Sequence, residues 1–242
     1  MRTAILGDIH GDYDRTMELV GDIDPDVPLV LVGDYFDRWH QAMDVVHWAM
    51  RRPNTTALLG NHDVLILGVL AEAAVGIEAN CHDTWLWNGG ERSDLAKLQD
   101  DPTAVEWLRH RPAMALVGDT LVQHCDSPVY LNFGGTVEDV NHHVELRLLS
   151  GQPDVLLGLF GSLCRRRQFH TPRDVSDYVS LFGARRLVHG HTPHTQPQAM
   201  TLFRETLINV DGALSRGFGP ASRGFVHWLD QPGTPAEEVL SA

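Results

Sequence analysis

Three short segments in the first quarter of the chain carry residue types that bind metal ions or transfer protons. They are GDIHG at residues 7–11, GDYFDR at 33–38 and LGNHD at 59–63. Carboxylate, amide and imidazole groups are ligands for divalent first-row metals, and imidazole also exchanges a proton near neutral pH. The third segment places Asn61, a potential metal ligand, next to His62, a potential proton donor. The sequence therefore predicts a site that combines metal ions with a proton donor.

Each of these segments follows a short apolar run that is typical of a buried strand. The runs cover residues 3–6, 29–32 and 56–59. The spacing between them is close to the roughly 30 residues of one strand-helix-strand unit. Right-handed units of this size build a parallel sheet whose carboxyl ends lie together, and ligands bind at that edge. We therefore expect the three segments to converge on one polar site.

The intervening segments predict the helices that connect these strands. Residues 12–20 and 42–51 place apolar side chains at helical spacing, and Pro53 ends the second pattern. Residues 64–79 are apolar on all sides, which predicts a buried core or cap helix. Residues 91–111 are also predicted to be helical, with an interruption at Asp101-Pro102.

The second half of the chain predicts another sheet and further helices. Residues 113–117 and 120–124 flank Gly118-Asp119 and indicate a hairpin that ends on His124. Residues 126–184 are mostly amphipathic helix, which we expect to shape substrate access. Residues 186–188 form another buried strand that leads to His191, and 206–210 and 224–229 are closing strands.

Taken in order, GDIHG, GDYFDR, GNHD, a late histidine and Gly190-His191-Thr192 resemble the calcineurin-like metallophosphoesterases. The resemblance is greatest to their phosphoprotein-phosphatase branch, which includes bacterial serine/threonine phosphatases and diadenosine tetraphosphatases. These motifs span Gly7 to Thr192. The resemblance implies an α/β fold, a four-layer αββα sandwich. We expect one domain over residues 1–242, with helical cap or insert segments at about 64–111 and 126–184 and an acidic tail at 232–242.

The resemblance also implies two divalent metal ions, with Asp34 as the bridging ligand. We expect manganese, with iron, zinc or nickel as alternatives. Asp8 and His10 are two positions apart on a strand end that we expect to be extended, so both side chains would point to one ion. The implied ligands are Asp8, His10, Asp34, Asn61, His124 and His191.

A structural alternative exists for each ligand alone, because Asp and Asn after a strand often start a turn or cap a helix. The ordered set favours the metal site over this alternative. His124 stands in a Gln-His-Cys-Asp context that differs from the family's usual His-Ala-Gly or His-Gly-Gly. His189 is therefore an alternative ligand.

By the same resemblance, His62 donates a proton to the leaving oxygen and Asp37 orients it. Arg38 would bind two phosphate oxygens. The family has a second phosphate-binding arginine, for which the run Arg165-Arg166-Arg167 offers candidates, foremost Arg165 and Arg166. Such a run is equally typical of a solvated surface.

Two positions depart from the family pattern. Trp39 stands where the family usually has glycine, and a ring there would narrow the approach to Arg38 and favour small substrates. The alternative is that Trp39 packs against the second connecting helix, near Met43 or Val46. Asp63 replaces the glutamate of the protein-phosphatase branch, and we expect no direct contact between Asp63 and the metal ions.

Composition limits the partners. The chain has 242 residues, 43% of them hydrophobic, and a formal net charge of −13. This charge repels a nucleic-acid backbone, so we expect a phosphorylated small molecule or a phosphoprotein as substrate. Three cysteines without a CxxC pair suit a reducing cytoplasm. The sequence contains neither a signal-peptide pattern nor a membrane-length apolar run, so we expect a cytoplasmic protein that does not bind membranes.

These expectations combine into a metal-dependent phosphatase. A metal-bridging hydroxide would attack a phosphate monoester, with His62 as general acid. One alternative is a hydrolase of dinucleoside polyphosphates such as diadenosine tetraphosphate. Another is a catalytically silent scaffold with the same fold.

Overall fold

Two β-sheets form the centre of the protein in a computed structural model that describes residues 2–230. Nine strands contribute: β1 (Arg2–Leu6), β2 (Leu29–Leu31), β3 (Thr55–Ala57), β4 (Met114–Val117), β5 (Thr120–Gln123), β6 (Arg186–His189), β7 (Met200–Leu202), β8 (Leu207–Asn209) and β9 (Val226–Asp230). The first sheet has the order β3-β2-β1-β9 and the second β4-β5-β6-β8-β7. The predicted tail at 232–242 lies outside the described residues.

The strand directions bring the functional loops together. Strands β1, β2 and β3 are parallel, as are β5, β6 and β8. Strand β9 pairs antiparallel with β1 at the edge of the first sheet. The carboxyl ends of β1 and β2 and those of β5 and β6 therefore present their loops to one site.

An apolar layer fills the space between the two sheets. Ile5 and Val30 of the first sheet belong to one buried cluster with Val122, Val188 and Ile208 of the second. A larger cluster joins the outer faces of the sheets to the helices. These layers match the predicted four-layer αββα sandwich, which is confirmed.

Helices cover both sheets. Their bounds are α1 (Tyr13–Val20), α2 (Ala42–Arg51), α3 (Asn61–Ala74), α4 (Asn80–Trp87), α5 (Arg92–Gln99), α6 (Pro102–Arg109), α7 (Val137–Ser150), α8 (Pro153–Leu163) and α9 (Pro172–Leu181). Two short 3₁₀ helices cover Pro128–Asn132 and Arg216–Phe218. Within residues 2–230, no helix has both the length and the apolar character needed to cross a membrane.

Local sequence explains most of these bounds, and two predicted bounds need correction. Asp101 caps α6 by accepting a hydrogen bond from the backbone N of Ala104, which produces the predicted interruption. Strand β3 ends at Ala57, two residues before the predicted end. The buried helix α3 begins at Asn61 rather than at residue 64, so Gly60 is its N-cap and Asn61, His62 and Asp63 belong to its first turn.

Candidate metal centre and active site

The six predicted metal ligands lie together at the carboxyl ends of the strands, and all are buried. Two groups of side chains have potential ligand atoms within 4.8 Å of one another. The first contains Asp8, Asp34, His124 and His191, and the second contains His10, Asp34 and His62. Asp34 is common to both groups, as a bridging ligand must be.

Backbone carbonyls fix the orientation of two of the histidines. Nδ1 of His10 lies 2.9 Å from the carbonyl oxygen of Phe36, and Nδ1 of His124 lies 3.0 Å from that of Val32. A carbonyl only accepts hydrogen bonds, so each Nδ1 carries the proton and each Nε2 has a free lone pair. A hydrogen bond from the ring nitrogen that does not bind the metal is typical of metal-binding histidines.

The free Nε2 of His124 faces further electron-donating atoms. It lies 2.8 Å from Oδ1 of Asn61, 3.2 Å from Nδ1 of His191 and 3.5 Å from Oδ1 of Asp34. Neither Nε2 in this tautomer nor the two oxygens can donate a hydrogen bond to the others. A divalent cation would satisfy all of them, so this cluster of nitrogen and oxygen atoms fits a manganese, iron or zinc ion.

The backbone at Asp8 and His10 differs from the prediction. Strand β1 ends at Leu6, and His10 has a φ of 48° rather than an extended conformation. Asp8 instead lies beside His191, whose backbone N donates to both carboxylate oxygens of Asp8 at 3.0 Å. The predicted extended strand end is therefore wrong, and a shared ion for Asp8 and His10 stays a prediction.

Five residues of this site have a left-handed backbone conformation. Positive φ angles occur at His10 (48°), Asp34 (53°), Asp37 (70°), Arg38 (69°) and His191 (64°). Such a conformation costs a residue with a β-carbon about 1–2 kcal/mol. Residues held in this region collect at active sites, where the surrounding structure imposes the conformation. Folding energy is therefore used here to hold these side chains in position.

His62 is held in a different environment from the other site histidines. Its Nδ1 lies 2.6 Å from Oδ2 of Asp37, whose Oδ1 accepts a hydrogen bond of 2.6 Å from the indole of Trp85. Burial lowers the pKa of His62, but the carboxylates of Asp34 and Asp37 outweigh it, so that the pKa is raised. His62 is therefore suited to carry a proton, although its Nε2 lies 4.0 Å from Oδ2 of Asp34, a predicted metal ligand.

The three other site histidines show the opposite shift. Burial, the main cause, lowers the pKa values of His10, His124 and His191, that of His191 to about 3. A neutral imidazole is the form that binds a metal ion. Burial thus favours the neutral form of these three histidines, whereas the carboxylates near His62 favour its protonated form.

Arg38 is positioned to bind an anion next to His62. Its guanidinium lies over the ring of Phe218, 4.8 Å from the ring centroid, and its backbone N donates to the carbonyl oxygen of Gly89. Within the described part of the chain, its buried Nε has no hydrogen-bond partner. A phosphoryl oxygen would supply the missing acceptor.

The sequence of the chain matches the profile of the calcineurin-like phosphoesterases over residues 1–195. The chain belongs to this family. Within it, a protein named bis(5′-nucleosyl)-tetraphosphatase, symmetrical, from Paraburkholderia phymatum is 25% identical over 244 residues, covering 97% of this chain and 76% of that relative. A protein of the same name from Salmonella enteritidis is 32% identical over 118 residues, covering 47% of this chain and 38% of that relative.

Solved phosphatase structures share the fold. A cold-active protein-tyrosine phosphatase of a Shewanella species superposes with a TM-score of 0.69 at 22% identity, covering 95% of this chain and 75% of the other. A protein serine/threonine phosphatase from Saccharomyces cerevisiae gives 0.56 at 14% identity, covering 98% and 82%. These identities show the fold alone.

The three consecutive arginines and His189 lie in different surroundings. Among the three consecutive arginines, Arg166 lies near enough for its charge to act on the pKa values of Asp8 and His191. Arg165 is exposed, and Arg167 lines a separate cavity. Nδ1 of His189 lies 2.8 Å from the carbonyl oxygen of Gly190, and this histidine lines the same cavity as Arg167.

Trp39 makes a contact that neither prediction anticipated. The ring is half-buried and lies 4.9 Å from the guanidinium of Arg216, which forms an ion pair of 2.6 Å with Asp12. The ring also packs against His40. Trp39 therefore adjoins the 3₁₀ helix Arg216–Phe218, whose Phe218 contacts Arg38.

Three residues at the site were missed by the sequence analysis. Asp211 is buried, and burial together with the charge of Asp34 raises its pKa to about 7. It follows strand β8 as Asp8 follows β1, so a polar residue after a buried strand was the available signal. Trp85 holds Asp37, and Cys164 accepts a hydrogen bond of 3.5 Å from Nδ2 of Asn61, which turns the amide oxygen toward His124. Neither has a local sequence signal.

Proposed function

We propose that this calcineurin-like phosphoesterase is a phosphatase that hydrolyses phosphate monoesters with the help of two divalent metal ions. The observation that carries the proposal is geometric: buried Asp34 is common to two groups of potential metal ligands, and beside them Nδ1 of His62 lies 2.6 Å from Oδ2 of Asp37. One acid and several neutral ligands are what hydrolysis with an alkoxide leaving group requires. The proposed ligands are Asp8, His10, Asp34, Asn61, His124 and His191.

The chain's own residues bind the substrate and move the proton. Arg38 and Arg166 bind phosphoryl oxygens, and Phe218 supports the guanidinium of Arg38. Asp37 keeps Nδ1 of His62 occupied, so Nε2 carries the proton that passes to the leaving oxygen. When bound, the metal ions would supply a water of lowered pKa and positive charge next to the phosphate.

The strength of the acid distinguishes two candidate reactions. An alkoxide is a strong base and needs a proton to leave, whereas the phosphate that leaves an anhydride is a much weaker base. The tightly held His62–Asp37 pair therefore favours monoesters. Hydrolysis of symmetrical dinucleoside polyphosphates is the second candidate, because the relative aligned over 97% of this chain carries that name.

Substrate release assays separate these reactions. Phosphate release from glycerol phosphate and p-nitrophenyl phosphate, with manganese added, is expected if the protein is a monoesterase. Nucleotide release from diadenosine tetraphosphate without turnover of either ester would support the second candidate instead. If manganese, iron, zinc and nickel all gave no turnover of any of the three substrates, the fold would be a silent scaffold and the proposal would be wrong.

A further inference from the structure

Both oxygens of the Asp37 carboxylate have a buried partner. Oδ2 lies 2.6 Å from Nδ1 of His62, and Oδ1 accepts a hydrogen bond of 2.6 Å from Nε1 of Trp85. Asp37 is 1% exposed and Trp85 is fully buried, so water does not compete for either oxygen. Because a different side chain occupies each oxygen, Trp85 helps to fix the plane of the carboxylate that faces His62.

The loop that follows α4 fixes the indole of Trp85. The backbone of Gly90 lies against this ring, and a β-carbon at residue 90 would overlap it. The backbone N of Gly90 also donates to the carbonyl oxygen of Trp85 at 3.0 Å. The carbonyl oxygen of Gly89 accepts a hydrogen bond of 2.9 Å from the backbone N of Arg38. The same loop therefore holds the indole and the backbone of the proposed phosphate-binding arginine.

The other end of α4 is fixed to the helix that carries His62. The buried carboxylate of Glu72, near the end of α3, accepts hydrogen bonds of 2.8–3.1 Å from the backbone N atoms of Ala79, Cys81 and His82. The first N–H groups of a helix lack partners within the helix, so a carboxylate at this end stabilises it. Helix α4 is thus held against α3, whose first turn contains His62.

We propose that Trp85 is a positioning residue for the general acid and acts on His62 through Asp37. The indole N–H occupies Oδ1 of Asp37 and leaves Oδ2 to His62, which fixes the direction of Nε2, the proposed proton donor. Without the indole N–H, Oδ1 is a buried oxygen without a partner, and the carboxylate is free to rotate and to turn the ring of His62. This inference rests on the proposed function, because it concerns the acid step of that reaction.

The first test is whether loss of the indole slows only the ester that needs the acid. In Trp85→Phe, kcat for glycerol phosphate should fall about tenfold or more with little change in KM, whereas kcat for p-nitrophenyl phosphate should fall less than about threefold. Trp48→Phe is the matched control, because Trp48 is a half-buried residue of α2 that packs against the same apolar cluster as Trp85. This control should leave the ratio of the two kcat values unchanged.

A double-mutant cycle tests whether Trp85 acts through His62. In the His62→Asn background, Trp85→Phe should cause no further decrease in kcat for glycerol phosphate, because the acid is already absent. A decrease of the same size in both backgrounds would overturn the inference.

Replacement of Trp85 by benzothienylalanine keeps the shape of the indole and removes only its N–H donor. This variant should show the same ester-dependent loss even if the smaller ring in Trp85→Phe destabilises the fold. NMR spectra of the zinc-loaded protein add a measurement that does not depend on turnover. The proton between Nδ1 of His62 and Asp37 lies in a contact of 2.6 Å, so its signal should be far downfield and should shift in this variant.

The outcomes separate failure of this inference from failure of the proposed function. If the wild-type protein hydrolyses both esters and the two changes at Trp85 slow both equally, the positioning role is wrong and the phosphatase assignment stands. If the wild-type protein hydrolyses neither ester, the phosphatase assignment is wrong, and the NMR signal alone decides whether Trp85 positions His62. A signal that does not shift in the benzothienylalanine variant would overturn the positioning role in either case.

Discussion

Among individual residues, His62 bears most directly on the proposed chemistry, because it would supply the proton for the leaving group. Replacing His62 with Asn removes the acid but keeps a polar side chain of moderate size. Loss of general acid catalysis lowers a rate by roughly 10²–10⁴. We expect a decrease of that size in kcat for glycerol phosphate and a much smaller decrease for p-nitrophenyl phosphate, whose leaving group needs little protonation.

The measurement is steady-state kinetics on both esters, together with elemental analysis after dialysis. Metal content should stay at the wild-type value, because the proposed ligands are retained. An equal decrease for the two esters would refute the acid role. Loss of one ion would instead assign His62 as a ligand, in line with its position near His10 and Asp34.

The sequence predicts which residues form the site better than it predicts their backbone conformations and contacts. The order of the motifs identifies Asp34, Asn61 and His62, and the structure brings these residues together. The left-handed backbone at His10 could not be predicted, because the hydrogen bond from its ring to Phe36 connects separate loops. Trp85 was missed for the same reason, since its contact with Asp37 spans distant parts of the chain.

Among the elements, the first turn of α3 joins two of the functional loops. Within this turn, the Asp63 carboxylate accepts hydrogen bonds from the backbone N–H groups of Asp34, Tyr35 and Gly60, at 2.8–2.9 Å. The side chain of Asp63 is fully buried. Asp63 thereby fixes the loop after β2 against the helix that carries His62.

We predict that Asp63→Asn destabilises the protein and lowers activity. Because the amide presents a donor where N–H groups already point, at least one of these groups loses its acceptor, which costs about 1–3 kcal/mol. Thermal unfolding and kcat/KM measure the two effects, with Asp22→Asn at an exposed position as the control. Unchanged stability and activity would show that the three hydrogen bonds do not hold the loops.

His110 links α6 and α7 in a way that depends on pH. Hydrogen bonds to Glu145 of α7 and then to Glu106 of α6 raise the pKa of His110. Because the folded pKa is raised, the stabilisation is fully present below the unfolded pKa of about 6.5 and is lost as pH rises through the folded value. This ion pair is partly exposed, so its contribution stays below about 1 kcal/mol.

The variant His110→Gln should therefore lower Tm more at pH 5.5 than at pH 8.5. High salt should reduce the difference at pH 5.5, because exposed charges are screened. Thermal unfolding of both proteins at the two pH values is the measurement. A Tm difference that does not depend on pH would mean that His110 contributes through packing rather than through charge.

The sequence predicted those helices and strands whose pattern lies in neighbouring residues. Helical spacing predicted α1 and α2, and Gly118-Asp119 predicted the β4–β5 hairpin. The pairing of β9 with β1 could not be predicted, because these strands are separated by almost the whole described chain. Helix α4 lies within the helical segment predicted at about 64–111, but its bounds could not be predicted, since its apolar residues show little helical periodicity.

For the whole molecule, the metal centre connects the two sheets. Asp8 and Asp34 follow strands of the first sheet, and His124 and His191 follow strands of the second. Burial and then the charges of Asp211 and Asp34 raise the pKa of Asp8, and burial together with the charge of Asp34 raises the pKa of Asp211 to about 7. Bound cations should therefore stabilise the native arrangement of the sheets as well as supply chemistry.

We predict that removal of the metal ions lowers the thermal stability of the protein. A ligand present at 100 times its Kd stabilises the folded state by about 2.7 kcal/mol, and at this chain length that amounts to a Tm difference of roughly 5–10 °C. Thermal unfolding before and after chelation, and after addition of manganese, measures the effect. In Asp34→Asn the difference should shrink, because the proposed bridging ligand serves both ions. If chelation removes all metal from the wild-type protein and Tm does not change, the ions do not hold the two sheets together, and their role would be confined to catalysis.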